Sequence, residues 1–201
     1  MIQPDHLAVV AETLEAGVAH VEAALGVSMQ PGGQHGFMGT HNRLMGLGPG
    51  FYLEVIAIDP AAARPPYPRW FNLDNFKGPP RLASWVCRTD DMDAALAAAP
   101  DGSGRPMQAA RGNLRWQMAI PDDGCWPLGG AFPGLIQWDG PAHPSDRLPD
   151  NGCRLSQLQI ATPDVGALTT AVPQMPQVSV ADGPLAITAM IETPQGPRRL
   201  C

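Results

Sequence analysis

The chain has 201 residues, of which 44% are apolar and 16% charged, and it carries a formal net charge of −6. That length can bury one substantial core, and the few basic residues are scattered, so no footprint for a phosphate backbone exists and nucleic acid is excluded as an expected partner. No run approaches the roughly 18 apolar residues of a membrane helix, and Met1–Asp5 lacks the basic and apolar regions of a signal peptide. The expectation is a cytoplasmic protein without a membrane partner.

In chain order, Leu7–Ala11 is a short β-prone run. Leu14–Leu25 follows with Leu14, Val18, Val21, Ala24 and Leu25 in one stripe, Thr13 placed to cap a helix and Gly26 to stop it. Gly36–Met38, Asn42–Leu47 and Phe51–Ile58 read as strands, the last entered through the turn Gly48-Pro49-Gly50. Residues 1–60 thus form a β-α-β-β-β unit. Residues 61–80 are a proline-rich connector, yet Trp70, Phe71 and Phe76 within it predict a packed excursion, because so much aromatic area is rarely left in water.

The order then repeats over residues 81–140. Leu82–Arg88 reads as a strand, Asp90–Ala99 as a short helix opened by an aspartate and stopped by Pro100, and Asn113–Ile120 and Gly134–Trp138 as further strands. Laying Leu14–Val18 over Met92–Leu96 sets Ser84 under His6 and Gln137 under Glu54. A third copy occupies residues 153–201: a strand at Arg154–Ile160, a helix opened by Thr162-Pro163-Asp164 with proline at its first position, and strands at Gln177–Ala181, Leu185–Ile191 and Arg198–Leu200. This repetition is the strongest architectural signal in the chain. The cysteines, Cys87, Cys125, Cys153 and Cys201, are widely spaced with no CxxC pair and read as reduced structural thiols.

Three stretches, Asp5-His6-Leu7-Ala8-Val9, Gly39-Thr40-His41-Asn42-Arg43-Leu44 and Gly50-Phe51-Tyr52-Leu53-Glu54-Val55-Ile56, together resemble the glyoxalase-like proteins of the vicinal oxygen chelate superfamily. The resemblance implies an α+β fold in which paired βαβββ units form a cup-shaped mixed sheet with helices outside; the third βαβββ-like unit is extra. It also implies a divalent metal on the cup floor, held by one residue from the first and one from the last strand of each unit. Carried over, those positions are His6, Glu54, Ser84 and Gln137.

Alternation along the strands agrees for the first unit, since His6 shares a face with Ala8 and Val10, and Glu54 with Tyr52 and Ile56. A carboxylate in so apolar a strand needs a partner, because burying it alone costs several kcal/mol. His6 and Glu54 suit Zn²⁺, Mn²⁺, Fe²⁺ or Ni²⁺, with Gln137 as a third, neutral ligand, so such an ion would be weakly held. Without a metal the two would form an ion pair on the cup floor.

His41 and His35 flank the second strand as candidates for a further imidazole, whereas His20 and His143 read as surface residues. Alternation would turn Arg43 and Arg115 into the cup, where guanidinium forks would take a substrate carboxylate, the alternative being rim salt bridges with some of the 19 acidic residues, and Ser84, Gln137, His41 and Tyr52 complete the expected binding set. Trp85 and Trp138, beside Ser84 and Gln137, are expected to face the helices. No strand-GxGxxG-helix or GxxxxGK[ST] pattern occurs, so no nucleotide cofactor is expected. The function that follows is a small-molecule enzyme of lyase, isomerase or related type, with Glu54 and His6 as catalytic residues. The alternative is a metal-free small-molecule or drug-binding protein of the same fold, and a third possibility is a structural or regulatory module that retains the fold alone. Leu185–Ile191 carries too much apolar β surface for a bare edge, so the third unit is expected to cover a surface of its own cup, to replace the second unit in it, or to pair with the same segment of another chain in a homodimer.

Overall fold

Thr13 accepts a hydrogen bond from the Ala16 backbone N–H and Gly26 takes a left-handed φ of 70°, so α1 (Leu14–Leu25) begins and ends where its sequence marks it. The structure, a computed structural model, describes residues 1–201. Around α1 lie β1 (Gln3–Val10), β2 (Gln30–His35), β3 (Thr40–Gly46) and β4 (Tyr52–Ile58). The second unit comprises β5 (Arg81–Arg88), α2 (Met92–Ala97), β6 (Arg105–Arg111), β7 (Leu114–Ile120) and β8 (Gly134–Trp138). All eight strands join in one curled mixed sheet of order β2-β3-β4-β1-β5-β8-β7-β6. In each unit the first strand pairs in parallel with the last, β1 with β4 and β5 with β8, and the antiparallel β1–β5 pairing welds the halves together.

Two strands depart from the sequence reading. β2 lies at Gln30–His35, and Gly36–Met38 is the turn after it. The Pro-Gly-Gly run has little β propensity of its own; pairing with β3 holds it extended. β6, Arg105–Arg111, alternates without apolar weight and is stabilised by antiparallel pairing with β7.

The third unit is β9 (Arg154–Ala161), α3 (Val165–Ala171), β10 (Val178–Ala181), β11 (Ala186–Thr193) and β12 (Gly196–Leu200). Asp164 rather than Thr162 stands at the cap of α3, so Pro163 lies outside the helix. The order of elements repeats the first two units, but the pairing does not: β9 runs parallel to β10 and antiparallel to β11, giving a separate sheet of order β10-β9-β11-β12. This sheet packs in cis. Leu158, Ile160, Ile187, Ala189 and Ile191 share one apolar cluster with Leu7, Val9, Leu53, Val55, Trp85 and α1. The apolar face of β11 is therefore covered within its own chain, the cis alternative for the third unit.

A second cluster fills the cup face: Ala8, Val10, Ile56, Val86, Trp116 and Met118 from the strands, with Trp70, Phe71, Leu73 and Phe76 from the connector. The connector is thus packed, as its aromatics predict. Buried Arg69 clips it down, donating from Nε to the Met38 carbonyl and pairing with Asp74 at 2.5 Å, while the Tyr67 hydroxyl donates to the Phe37 carbonyl.

Candidate functional site

A register shift between Pro4 and His6 interrupts the β1–β5 ladder, and the adjoining Asp5 and His6 are both buried. His6 Nδ1 lies 2.6 Å from Asp5 Oδ1, and its ring stacks on Tyr52 with centroids 4.6 Å apart. Asp5 Oδ2 is 2.9 Å from Trp138 Nε1 and 3.0 Å from His143 Nε2. Burial alone would raise the Asp5 pKa, but hydrogen bonds from His143 and His6, and the charge those rings can carry, hold it well below the usual carboxylate range. An ionised carboxylate only accepts, so His6 carries its proton on Nδ1 and His143 on Nε2. His6 Nε2 then faces the cup, 3.7 Å from Glu54 Oε2.

Glu54 is 5% exposed, and its Oε1 accepts from Asn42 Nδ2 at 2.5 Å. Asn42 Oδ1 in turn accepts from the Gly33 backbone N–H at 2.7 Å and from Arg111 Nη1 at 3.2 Å. Arg111 Nη1 also donates to His35 Nε2, and His35 Nδ1 to Thr40 Oγ1, both at 3.1 Å. Burial, with the charges of Arg111, His6 and His41 nearby, pushes the His35 pKa down to about 3, so this ring is neutral and able to accept from a guanidinium. A chain of polar contacts thus runs from Arg111 through Asn42, Glu54 and His6 to Asp5. Burial also raises the Tyr52 phenol well above its ordinary range, which keeps it protonated.

Close packing by glycine makes this chain possible. A Cβ on Gly33 would come within 2.6 Å of Arg111 Cδ, and one on Gly32 would collide with Asn42. Trp70 and Phe71 cover the cup with Pro144, leaving a cavity of only about 30 Å³. Phe71 and Asn72 hold the cover in consecutive left-handed conformations, φ 56° and 51°. The Trp70 indole N–H is buried there without a partner.

His6, Glu54 and Tyr52 all line this cavity. The second unit presents other residues to the cavity than the carried-over positions imply, although Trp85 faces the helix side as expected. Gln137 points out of the cup, its Oε1 accepting from the Met92 backbone N–H at the start of α2 and from Gln117 Nε2. β7 and β8 are in fact registered with Trp116 opposite Trp138 and Gln117 opposite Gln137. Trp116, Met118, Ile136 and Trp138 therefore face the cup, and Trp138 does not join Trp85 on the helix side. Arg115 is exposed and bonds only the Gly112 and Leu114 carbonyls. Arg43 is likewise exposed, because Asn42, its neighbour, takes the inward position. His41 shares the outer face with Arg43. Ser84 is buried but lines a different cleft.

Sequence reasoning passed over Asp5, Asn42 and Arg111 and read His143 as a surface residue, whereas His35, offered as a further imidazole, lines the cup. Asp5 and Asn42 stand inside the quoted motifs. Arg111 sits on the unexpected β6, and His143 is brought in by a loop, so neither carried a local signal.

The donors do not fit a resident transition metal. Nowhere do three or more His, Cys, Asp or Glu side chains converge as ligands. Gln137 faces away from His6 and Glu54, and the cavity's remaining walls include Met118, Ile136 and the Arg111 guanidinium, itself a cation.

A family model described as a glyoxalase-like domain matches residues 5–175. No curated protein matches the chain in sequence. Among solved structures, a hypothetical protein from Staphylococcus aureus is similar with a TM-score of 0.64 at 12% identity, over 98% of this chain and 92% of that one. Methylmalonyl-CoA epimerase from Mycobacterium tuberculosis is similar with a TM-score of 0.45 at 18% identity, over 69% of this chain and 88% of that one. No helix here is long and apolar enough to cross a membrane.

Proposed function

The chain belongs to the glyoxalase-like domain family, and from that premise we propose that it is a small-molecule enzyme of lyase or isomerase type that moves a proton on a carboxylate-bearing substrate without a resident metal. One arrangement carries the reading. Glu54 and an imidazole oriented by ionised Asp5 share a cavity with Arg111, a guanidinium held by two neutral groups and paired with no acid.

In this reading the free donors of Arg111 bind the substrate carboxylate. Glu54 Oε2 takes the proton from the carbon beside a carbonyl, and the C–H electron pair moves onto the carbonyl oxygen as an enolate. His6 Nε2, 3.7 Å away, receives that proton from Glu54, and Asp5 stabilises the resulting imidazolium. Return of the proton to carbon completes an isomerisation; departure of a neighbouring group with its bonding electrons completes an elimination. Trp70, Phe71 and Trp116 exclude water. A cavity of about 30 Å³ holds only one or two waters, so the cover of Trp70 and Phe71 moves aside for substrate.

A second reading, a metal-free small-molecule-binding protein of the same fold, is favoured by the second unit, where Gln137 is engaged with the Met92 N–H and Gln117 and brings no ligand beside His6 and Glu54. Deuterium wash-in from D₂O at the carbon beside the ketone of a panel of 2-oxo and 3-oxo carboxylates, followed by NMR and compared with the protein-free rate, separates the two. The enzyme reading expects wash-in that Glu54→Gln lowers by a factor of about 10² or more. It also expects Arg111→Met to raise KM. Binding without wash-in, or wash-in indifferent to Glu54→Gln, would overturn it. Metal analysis of protein purified without chelator is expected to show no stoichiometric ion.

A further inference from the structure

A cleft of about 600 Å³ lies at the start of β5, where the connector on one face of the large sheet approaches β11 of the small sheet on the other. Small-molecule sites commonly occupy about 300–1,000 Å³. Phe71, Phe76, Leu82, Trp126, Leu185 and Ile187 supply its apolar walls. Leu185 is left 44% exposed there, and Met1 is the only other large apolar side chain so open to water. Gly130, at φ 104°, faces Leu185 with bare backbone, and a Cβ there would stand 3.6 Å from the leucine Cδ2. The cleft keeps its width because no side chain fills that wall.

Its charge runs against that of the molecule. Acidic residues outnumber basic ones 19 to 13 over the chain. Yet the charged side chains lining the cleft are Arg81 and Arg199, with no aspartate or glutamate. Arg81 lies 4.2 Å over the Phe76 ring and donates to the Lys77 carbonyl, which orients its guanidinium without neutralising it. Neither arginine has an acidic partner among the chain's ion pairs. The buried Trp126 indole N–H also lacks a partner.

The geometry points to a second binding site in this cleft, for an amphipathic carboxylate whose acyl or aryl body lies along Phe76, Trp126 and Leu185 and whose head group meets Arg81 and Arg199. Apolar burial supplies the attraction, and the two cations select the sign of the head group. The site is separate from the cup and does not depend on the proton-transfer reading, although Phe71 is a wall of both cavities.

The test is a fluorescence titration of the full chain with 11-(dansylamino)undecanoate, with decanoate, 3-phenylpropionate and decanol as competitors. Saturable one-site binding is expected, displaced by the carboxylates and at least tenfold less well by neutral decanol. Displacement by decanoate rather than 3-phenylpropionate would mark an acyl ligand, and the converse an aryl one. The double variant Arg81→Met, Arg199→Met should weaken binding about tenfold and flatten its salt dependence. Leu185→Asp should weaken it as well, with near-ultraviolet circular dichroism reporting that the fold is kept. Arg111→Met should leave it unchanged. Absence of saturable binding, or wild-type affinity in the double arginine variant, would overturn the proposal. So would loss of binding in Arg111→Met, since the probe would then sit in the cup. A chain that self-associates in light scattering, becomes monomeric on Leu185→Asp and fails to bind the probe would make this face a contact between copies instead.

Discussion

Replacing Asp5 by Asn changes one oxygen for one NH₂ at the point where the His6, His143 and Trp138 rings all donate. If the amide oxygen stays toward Trp138 and His143, the NH₂ confronts His6 Nδ1, and His6 moves its proton to Nε2. If the amide flips, the NH₂ confronts two donors at once. The first is the cheaper outcome. Hydrogen bonds to a charged acceptor are worth about 1.5–3 kcal/mol each, and neutral ones nearer 1. Weakening two of them and reversing the third costs on the order of 3 kcal/mol. The Asp5 carboxyl titrates well below its ordinary value in the folded chain, so the ionised form contributes in full above about pH 4. That contribution is lost progressively as pH falls from about 4 toward the depressed value. The deficit of Asp5→Asn in urea denaturation should therefore stay constant from about pH 7 to 5 and narrow below about pH 4. Long-range ¹H–¹⁵N correlation should show His6 as the Nδ1–H tautomer in the wild type and the Nε2–H tautomer in the variant. A deficit below about 1 kcal/mol with an unchanged His6 tautomer would refute this account of the network.

Three further outcomes are expected. His35 has a folded pKa near 3 against an ordinary 6.5, so protonation of the unfolded chain lowers stability as pH falls between those values. His35→Gln should reduce the slope of unfolding free energy against pH by up to about 1.4 kcal/mol per unit between pH 6 and 4, and an unchanged slope would show that the ring is already solvated. Gly33→Val places carbon against Arg111, whose Cδ lies 2.6 Å from even a first Cβ. Carboxylate affinity in the cup should fall by about tenfold or more while the urea midpoint moves little, because the flexible arginine and not the backbone gives way. A chain ending near Asp150 uncovers Leu53, Val55 and Trp85; it should bind 1-anilinonaphthalene-8-sulfonate and aggregate in light scattering, and a well-behaved truncated monomer would contradict the cis packing.

Much of the first unit was legible from residues near one another in the chain. Thr13 and Gly26 bound α1 by their own hydrogen bonding and φ preference. Phe51–Ile58 alternates an apolar strand around one carboxylate, which marks Glu54 as a residue needing a partner, and His6 converges on it. The β-α-β-β-β order of the first and third units could be read for the same reason, since caps, turns and apolar periods act over a few residues, whereas in the second unit β6 went unread because it alternates without apolar weight.

The second half of the cup depends on contacts that no local pattern encodes. β8 is apolar on both faces, so its sequence leaves open which face meets the cup, and a slip of one residue exchanges Gln137 for Trp138. The observed register follows from Gln137 anchoring the Met92 N–H and Trp138 reaching Asp5, contacts separated by 45 and 133 residues. Arg111 enters because β6 pairs with β7 at the far edge of the sheet, 69 residues from the Asn42 it meets. His143 enters because the loop after β8 folds back over the first strand. The third unit shares its order with the others but not its strand pairing, and its place against the outer face follows from the apolar surface left there by Leu7, Leu53 and Trp85. Apart from β2 and β6, which pairing holds extended, element identity was set by short-range chemistry; partner, face and register were set by tertiary burial, because only the assembled sheet decides which side of each strand is removed from water.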